Sequence, residues 1–592
     1  MGIRGLARGL CALVCALAWA LGCGGDRRGA QLFGDGDDGV ASAGSGDSAT
    51  SGGDDDDDDG DSLDDGISFD FADGNGDEGG GEPGGDPKTC EEAEEFKTYI
   101  GCDFWPTVTA NAVWPIFDFA VVVANAGDSE VEVTVEQGDA PIGGVTVIPP
   151  NELRTIWLPW VDALKGPAAD ACGEVTDPLA ATVRAANGAY HLVSSRPVTV
   201  YQFSALEYAP EGGPEGKDWS SCPAAGCTTA TVGCYSYSND ASLLLPSTAL
   251  TTNYRVTSYP GWQAANLGAT LSVTGIVDGT TVKVEIASHG ATTAGPGIVA
   301  GAAGDLVEFT VDRGEVVELV GTPTADLSGS LVQSDQPVQV IAALPCTQVP
   351  YGNTACDHVE ESVFPAETLG THYFVTVPTS PDGAPKAHLV RIYGNVDGTK
   401  LTYPTGKPAG FPDVIDAGQV VEIGKAELVV EPFQNPPYHW DLSVAEDFEI
   451  EGDHEFAVAT FQFGAAALGT DIVASPLGDP AQSLAIAVEQ YRKKYVFLAP
   501  LDYSKNFVDI VQPMAADVEL DGAPAMGVLT PIGASGYGVR RVQLDAGKSG
   551  AHVLVASEPV GIQVSGYGEY TSYQYPGGLN LDVIAPPPPP AG

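Results

Sequence analysis

Cys356, Asp357, His358, Glu360 and Glu361 fall within six residues. An imidazole beside carboxylates is a donor set for a cation, with Asp357, His358 and Glu361 as its ligands. Cys346 supports a different and preferred reading, in which a Cys346–Cys356 disulfide pins a loop whose polar side chains hydrogen-bond to nearby backbone. No metal site is therefore assigned. The other histidines, His191, His289, His372, His388, His439, His454 and His552, are scattered along the chain. His191 and His552 stand at nearly equivalent points before closing strands, which repeated structure explains better than chemistry. No HExxH, GxSxG or GxxxxGK[ST] pattern occurs, and no two carboxylates have a spacing that marks a glycosidase. No catalytic residue and no cofactor are assigned. Tyr567, Tyr570, Tyr573 and Tyr575 cluster near the end among glycines. Tyrosine offers rigid, amphipathic contact area, so Tyr570, Tyr573 and Tyr575 are the weak candidates for binding a glycan or protein. Core filling between two modules is the preferred reading.

Cysteine chemistry divides the chain. Cys23 follows a basic start (Arg4, Arg8), an apolar run from Leu10 to Leu21 and small residues, the pattern of an exported chain's signal. A cysteine at the first mature position resembles a lipoprotein signal, so Cys23 is the expected lipidation site and residues 1–22 the signal peptide. Gly24 is not the aspartate that holds many such lipoproteins at the inner membrane, which points to the outer membrane or cell surface. Cys11 and Cys15 leave with the signal, and eight cysteines remain: Cys90, Cys102, Cys172, Cys222, Cys227, Cys234, Cys346 and Cys356. An even number in an exported chain reads as disulfides. Cys90–Cys102 and Cys346–Cys356 are close enough to pair, and Cys172 is expected to meet one of Cys222, Cys227 and Cys234. Zinc is not assigned to that trio, which has neither a CxxC pair nor a nearby histidine.

Residues 23–88 are an Asp/Gly/Ser tract with an unbroken run from Asp54 to Asp59. Such a segment cannot bury enough apolar surface to offset its conformational entropy, and its like charges extend it. It reads as a disordered tether. It carries about a third of the formal net charge of −54, a balance that argues against nucleic acid and anionic headgroups as partners. No later stretch is apolar over the ~20 residues that a spanning helix needs, so lipid is the only membrane attachment expected.

From residue 89 the chain reads as all-β. Short Val/Ile/Thr/Tyr/Phe runs alternate with polar residues between Gly, Pro, Asp and Asn. Phe119 to Asn125, Gly127-Asp128 and Val131 to Val135 form a hairpin pattern. Helical periodicity is best, though short, over Ser483 to Lys494. Motifs recur every ~120 residues. Tyr254, Tyr373 and Tyr495 open three segments; Val277-Asp-Gly-Thr and Val396-Asp-Gly-Thr lie within two of them; Ser195, Ser334, Asp453 and Ser557 begin four closing turns. The expectation is tandem antiparallel β-sandwich modules of immunoglobulin-like size over 89–238, 239–360, 361–482 and 483–582, with a Pro-rich tail at 583–592. The alternative is a seven- or eight-bladed β-propeller, with two four-stranded blades per repeat.

Several segments together carry a resemblance: Asp240-Ala-Ser-Leu-Leu-Leu-Pro246, Cys356-Asp-His-Val-Glu-Glu361, Gly478-Asp-Pro480, and Gly566-Tyr-Gly568 running through Tyr573 and Tyr575 to Gly578. They look like the N-terminal domain of the IgGFc-binding protein family. Gly101-Cys-Asp-Phe-Trp-Pro106 is similar to predicted myxobacterial lipoproteins that carry it. The resemblance covers about residues 90 to 582 and implies a secreted, adhesive, non-enzymatic protein without transferable catalytic residues. The expected partner is an extracellular glycan, matrix component or protein. The alternatives are a scaffold in an envelope assembly and a carbohydrate-active enzyme.

Overall fold

The computed structural model describes residues 86–590, except 167, 169–178, 211, 222–233, 353–355, 425, 431–437, 443–445, 470–476 and 545–549. Cys23, the tether up to residue 85, Cys172, Cys222 and Cys227 lie outside the described residues. Strands dominate, and every paired strand is antiparallel.

Four modules repeat one topology. In the first, strands Phe119–Ala124, Leu153–Leu158, His191–Ser204 and Asp240–Leu244 form an inner sheet. Numbered in chain order, they lie side by side as fourth, third, first, second. The same order holds for Thr270–Gly275, Val316–Val320, Val338–Thr347 and Asp357–Ser362. It holds again for His388–Gly394, Val420–Ile423, Phe456–Gln462 and Gln482–Leu484. Lys505–Pro513, Tyr537–Leu544, Ala551–Gly568 and Thr571–Pro576 complete the set. A smaller outer sheet covers each inner one; in the third module it consists of His372–Val375, Phe448–Gly452, Thr399–Thr402 and Val414–Ile415.

The recurring motifs sit where the chain changes sheets. Val277-Asp-Gly-Thr280 and Val396-Asp-Gly-Thr399 carry it from inner to outer sheet. Each uses a glycine at positive φ (Gly279 at 69°, Gly398 at 71°) whose N–H donates to an aspartate, Asp312 or Asp416, at 2.9 Å. A side chain at either glycine would be strained in that backbone region. The repeated tyrosines lock the return. The Tyr254 hydroxyl donates to the Val338 carbonyl and the Tyr373 hydroxyl to Phe456, both at 2.6 Å, and Tyr495 does the same to Val560. In the first and last modules the strand continues through this point, as His191–Ser204 and Ala551–Gly568.

The central inner strands are buried along their whole length, as in Phe119–Ala124 and His388–Gly394. One face packs on the outer sheet and the other on the next module. Outer strands whose second face meets water alternate, as in Leu306–Val311. The last strand of each inner sheet stands at a common axis. Asp240–Leu244 lies against Asp357–Ser362 and Thr571–Pro576, and Gln482–Leu484 against the same two. The four sheets thus close a ring.

The fold is therefore the expected all-β array of two-sheet modules, arranged like a four-bladed propeller. Each repeat has the two sheets that seven or eight blades would need, but only one of them reaches the axis. Two local expectations fail. Phe119–Ala124 and Val131–Gln137 are not a hairpin: the first pairs within the inner sheet and the second within the outer. Asn125 fixes the crossing, its amide donating to the carbonyls of Ser129, Ile148 and Pro149 at 2.8–3.0 Å. Ser483 to Lys494 is not a helix but a strand end, a 3₁₀ turn at Val488–Gln490 and the start of strand Arg492–Leu498.

Candidate functional site: the axial polar network

Four short strands meet at the axis with their polar side chains inward. Asp240, Asp357, His358, Glu360, Glu361, Asp479, Gln482, Ser483, Thr571, Ser572 and Gln574 are all buried.

Asp240 joins all four strands. One carboxylate oxygen accepts the N–H of Ala241 (2.9 Å) and of Gln574 (3.2 Å). The other accepts those of Glu360 (3.1 Å) and Gln482 (3.2 Å). Each donor belongs to a different axial strand. Asp357 does a similar task one layer away, accepting from Asn239 N (2.7 Å), His358 N (2.8 Å), Ser572 N (3.0 Å) and the Thr571 hydroxyl (2.8 Å). Burial pushes both carboxyls up, and the converging N–H donors oppose it by favouring the ionised form. The four groups bonded to the Asp240 carboxylate are all N–H donors.

Glu360 ties the second module to the first. It accepts from the Thr109 hydroxyl (2.6 Å) and from the Gln202 amide (3.0 Å), and His358 Nε2 lies 3.4 Å away. Glu318 accepts the Ala110 N–H at 2.9 Å, and burial lifts its carboxyl to about 8. Asp479 donates its N–H to the Ser572 hydroxyl at 3.0 Å. Its carboxyl is pushed well up by burial and then by the charge of Asp357. Glu361 is raised by burial, next by Asp240.

The residues Asp357, His358 and Glu361 thus lie on one strand, Asp357–Ser362, rather than in the loop expected. Each has its own partners, and among the described residues they do not bring three ligand atoms together. The Cys346–Cys356 disulfide closes the turn before that strand, and Cys90–Cys102 is formed as well. Cys234 is disulfide-bonded. Tyr573 and Tyr575 are fully buried and present no surface. They close the ring instead: Tyr575 packs on Tyr201 at 4.8 Å, and Tyr573 on Phe203 at 6.1 Å while donating to Asn506 at 2.8 Å. Tyr570 occupies the preceding turn at φ 57°. His191 and His552 lie on equivalent strands and meet carboxylates, Asp103 and Glu136 for the first, Asp521 for the second. Among the described residues no helix is long and apolar enough to cross a membrane.

Sequence reasoning passed over Asp240 and Asp479 as site residues, although both stand in the motifs that carry the family resemblance. All four motifs run through or beside the axial strands, so the signature records ring closure. The family model for IgGFc binding protein matches residues 240–566. The chain belongs to the IgGFc-binding protein family. It is 33% identical over 181 residues to the human IgGFc-binding protein, a match covering 31% of this chain and 3% of that relative. The chain therefore spans a small fraction of the relative's length. A solved anti-sigma factor domain-containing protein from Clostridium clariflavum aligns with 54% of this chain and 82% of its own, at 10% identity and a TM-score of 0.09.

Proposed function

We propose that this chain is an exported, lipid-anchored protein that acts by binding, with Cys23 as the anchor, residues 23–88 as the spacer and the four-module ring as the part that meets an extracellular glycan or protein. The observation that carries the binding reading is an apolar edge on the fourth module. Met526 and Val528 are 77% and 81% exposed, and Met514 is also exposed. Met514 and Leu529 both flank Gly538, whose absent side chain would otherwise meet each of them within 3 Å. Large apolar side chains grouped at a sheet edge of a strongly acidic chain suit an adaptable contact. The axial carboxylates add support, since buried groups occupied in joining strands are not offered to a substrate. Binding of IgG Fc, named in the human relative, is not part of the proposal, because the match spans too little of that protein.

Glycan arrays and immobilised envelope fractions test the binding claim. Met526→Asp with Val528→Asp is expected to abolish retention without changing the melting temperature, and full retention would remove this edge from the proposal. Metabolic labelling with a lipid analogue is expected for the natural chain and absent from Cys23→Ser. Equal labelling of both would defeat the anchor.

A further inference from the structure

Outside the axis, His372, Glu449 and Glu451 place one ligand atom each within 4.8 Å of one another. They come from adjacent antiparallel strands, His372–Val375 and Phe448–Gly452, with His372 opposite Glu451 and Phe374 opposite Glu449. Residues 372, 374, 449 and 451 share one face, because Tyr373 and Ile450 point into the third module's core. Opposed and diagonal neighbours on one face are within side-chain reach, so register alone assembles the group.

Glu449 supplies a second, independent observation. It is 6% exposed, and while one carboxylate oxygen lies 2.9 Å from His372 Nε2, the other has no hydrogen-bond partner. A buried carboxylate oxygen without a donor is unfavourable, and a bound cation would remove that cost. The imidazole is held in place by Phe374, 5.0 Å away, which itself stacks on Tyr537 of the fourth module at 4.6 Å. His372 and Glu451 are only half-buried, which leaves a path for an ion and room for water ligands.

We propose that His372, Glu449 and Glu451 bind a first-row divalent cation of the Zn²⁺ type. One imidazole nitrogen with two carboxylate oxygens suits such an ion, whereas Ca²⁺ takes oxygen ligands throughout. Binding uses the neutral imidazole, with the unprotonated ring nitrogen turned to the metal and the proton on the other one. The ion would pin two outer-sheet strands beside the contact between the third and fourth modules. The acidic surroundings raise the local cation concentration.

The test uses the full chain, stripped with chelator and titrated with Zn²⁺ by calorimetry, with metal content read after desalting. Co²⁺ absorption reports the coordination independently. One equivalent is expected to survive desalting, with His372→Ala and Glu451→Gln each weakening it at least tenfold, and with the visible Co²⁺ bands lost in both. Glu451 is partly exposed, so its variant decides the matter if His372→Ala misfolds. Zn²⁺ affinity unchanged in Glu451→Gln would place the ion on the Asp54–Asp59 run or elsewhere and overturn the proposal. Failure of the chain to retain any ion would also overturn it, leaving a plain His372–Glu449 hydrogen bond.

Discussion

Asp240→Asn should be among the most damaging isosteric changes available to this protein. The side chain keeps its size, but one oxygen becomes an NH₂ facing two N–H donors. Those two donors, either Ala241 and Gln574 or Glu360 and Gln482, are left buried without an acceptor. The other two bonds survive but lose the carboxylate charge. Hydrogen bonds to a charged group contribute about 1.5–3 kcal/mol and neutral ones about 1 kcal/mol. The expected loss is thus about 4–10 kcal/mol, a large share of a typical total of ~5–15 kcal/mol. Asp335→Asn is the control: this exposed carboxylate accepts a single N–H, from Thr281 at 2.8 Å, and its loss should stay below ~1 kcal/mol. Urea unfolding followed by tryptophan fluorescence measures both. Near-equal midpoints for Asp240→Asn and the natural chain would show that Asp240 is not an ionised acceptor of four strands. The account of ring closure would then be wrong.

Four further outcomes follow from the same structure. Glu318 has its folded-state carboxyl lifted to about 8 from an ordinary 4.5, so the stability it contributes is present at acid pH and is lost as pH rises to 8. Glu318→Gln should flatten that fall, by up to ~5 kcal/mol, in unfolding free energies measured from pH 5 to 9. His388 is buried with both ring nitrogens unpartnered and is lowered to about 3 by burial, next by Arg541. The unfolded chain therefore takes up the proton first as pH falls below 6.5, and His388→Leu should raise the melting temperature at pH 4–5 more than at pH 8. Replacing Cys346 and Cys356 together by alanine frees a loop with a sequence separation of 10 and should lower stability by about 3 kcal/mol in denaturant titrations. Tyr573→Phe should lose about 1 kcal/mol with its bond to Asn506, and Tyr573→Ala about 3–5 kcal/mol, in the same assay.

Much of the architecture is legible from local spacing. The Val-Asp-Gly-Thr turns and the Tyr254/Tyr373/Tyr495 series recur at one period because each module must switch sheets in the same way. Both short disulfides are legible because small sequence separation makes pairing cheap in chain entropy. The failed hairpin at Phe119 to Val135 shows the limit. A turn signal between two apolar runs does not say whether the chain reverses within one sheet or steps to another. The polar segment Asp357–Ser362 shows it again, since its composition reads as a loop while it is a strand with every residue buried.

The amino-acid sequence by itself determined the strand-rich class, the fourfold repetition, the bridged cysteines and the family, because periodicity, turn chemistry and motif identity are all properties of near neighbours. Tertiary structure alone decided how many sheets face the axis, why Asp240 and Asp357 are buried there, and that His372 stands beside Glu449 and Glu451. The physical reason is that an unpaired strand edge has no fixed partner along the chain. Only when four such edges converge do carboxylates remote in sequence become the acceptors for one another's backbones.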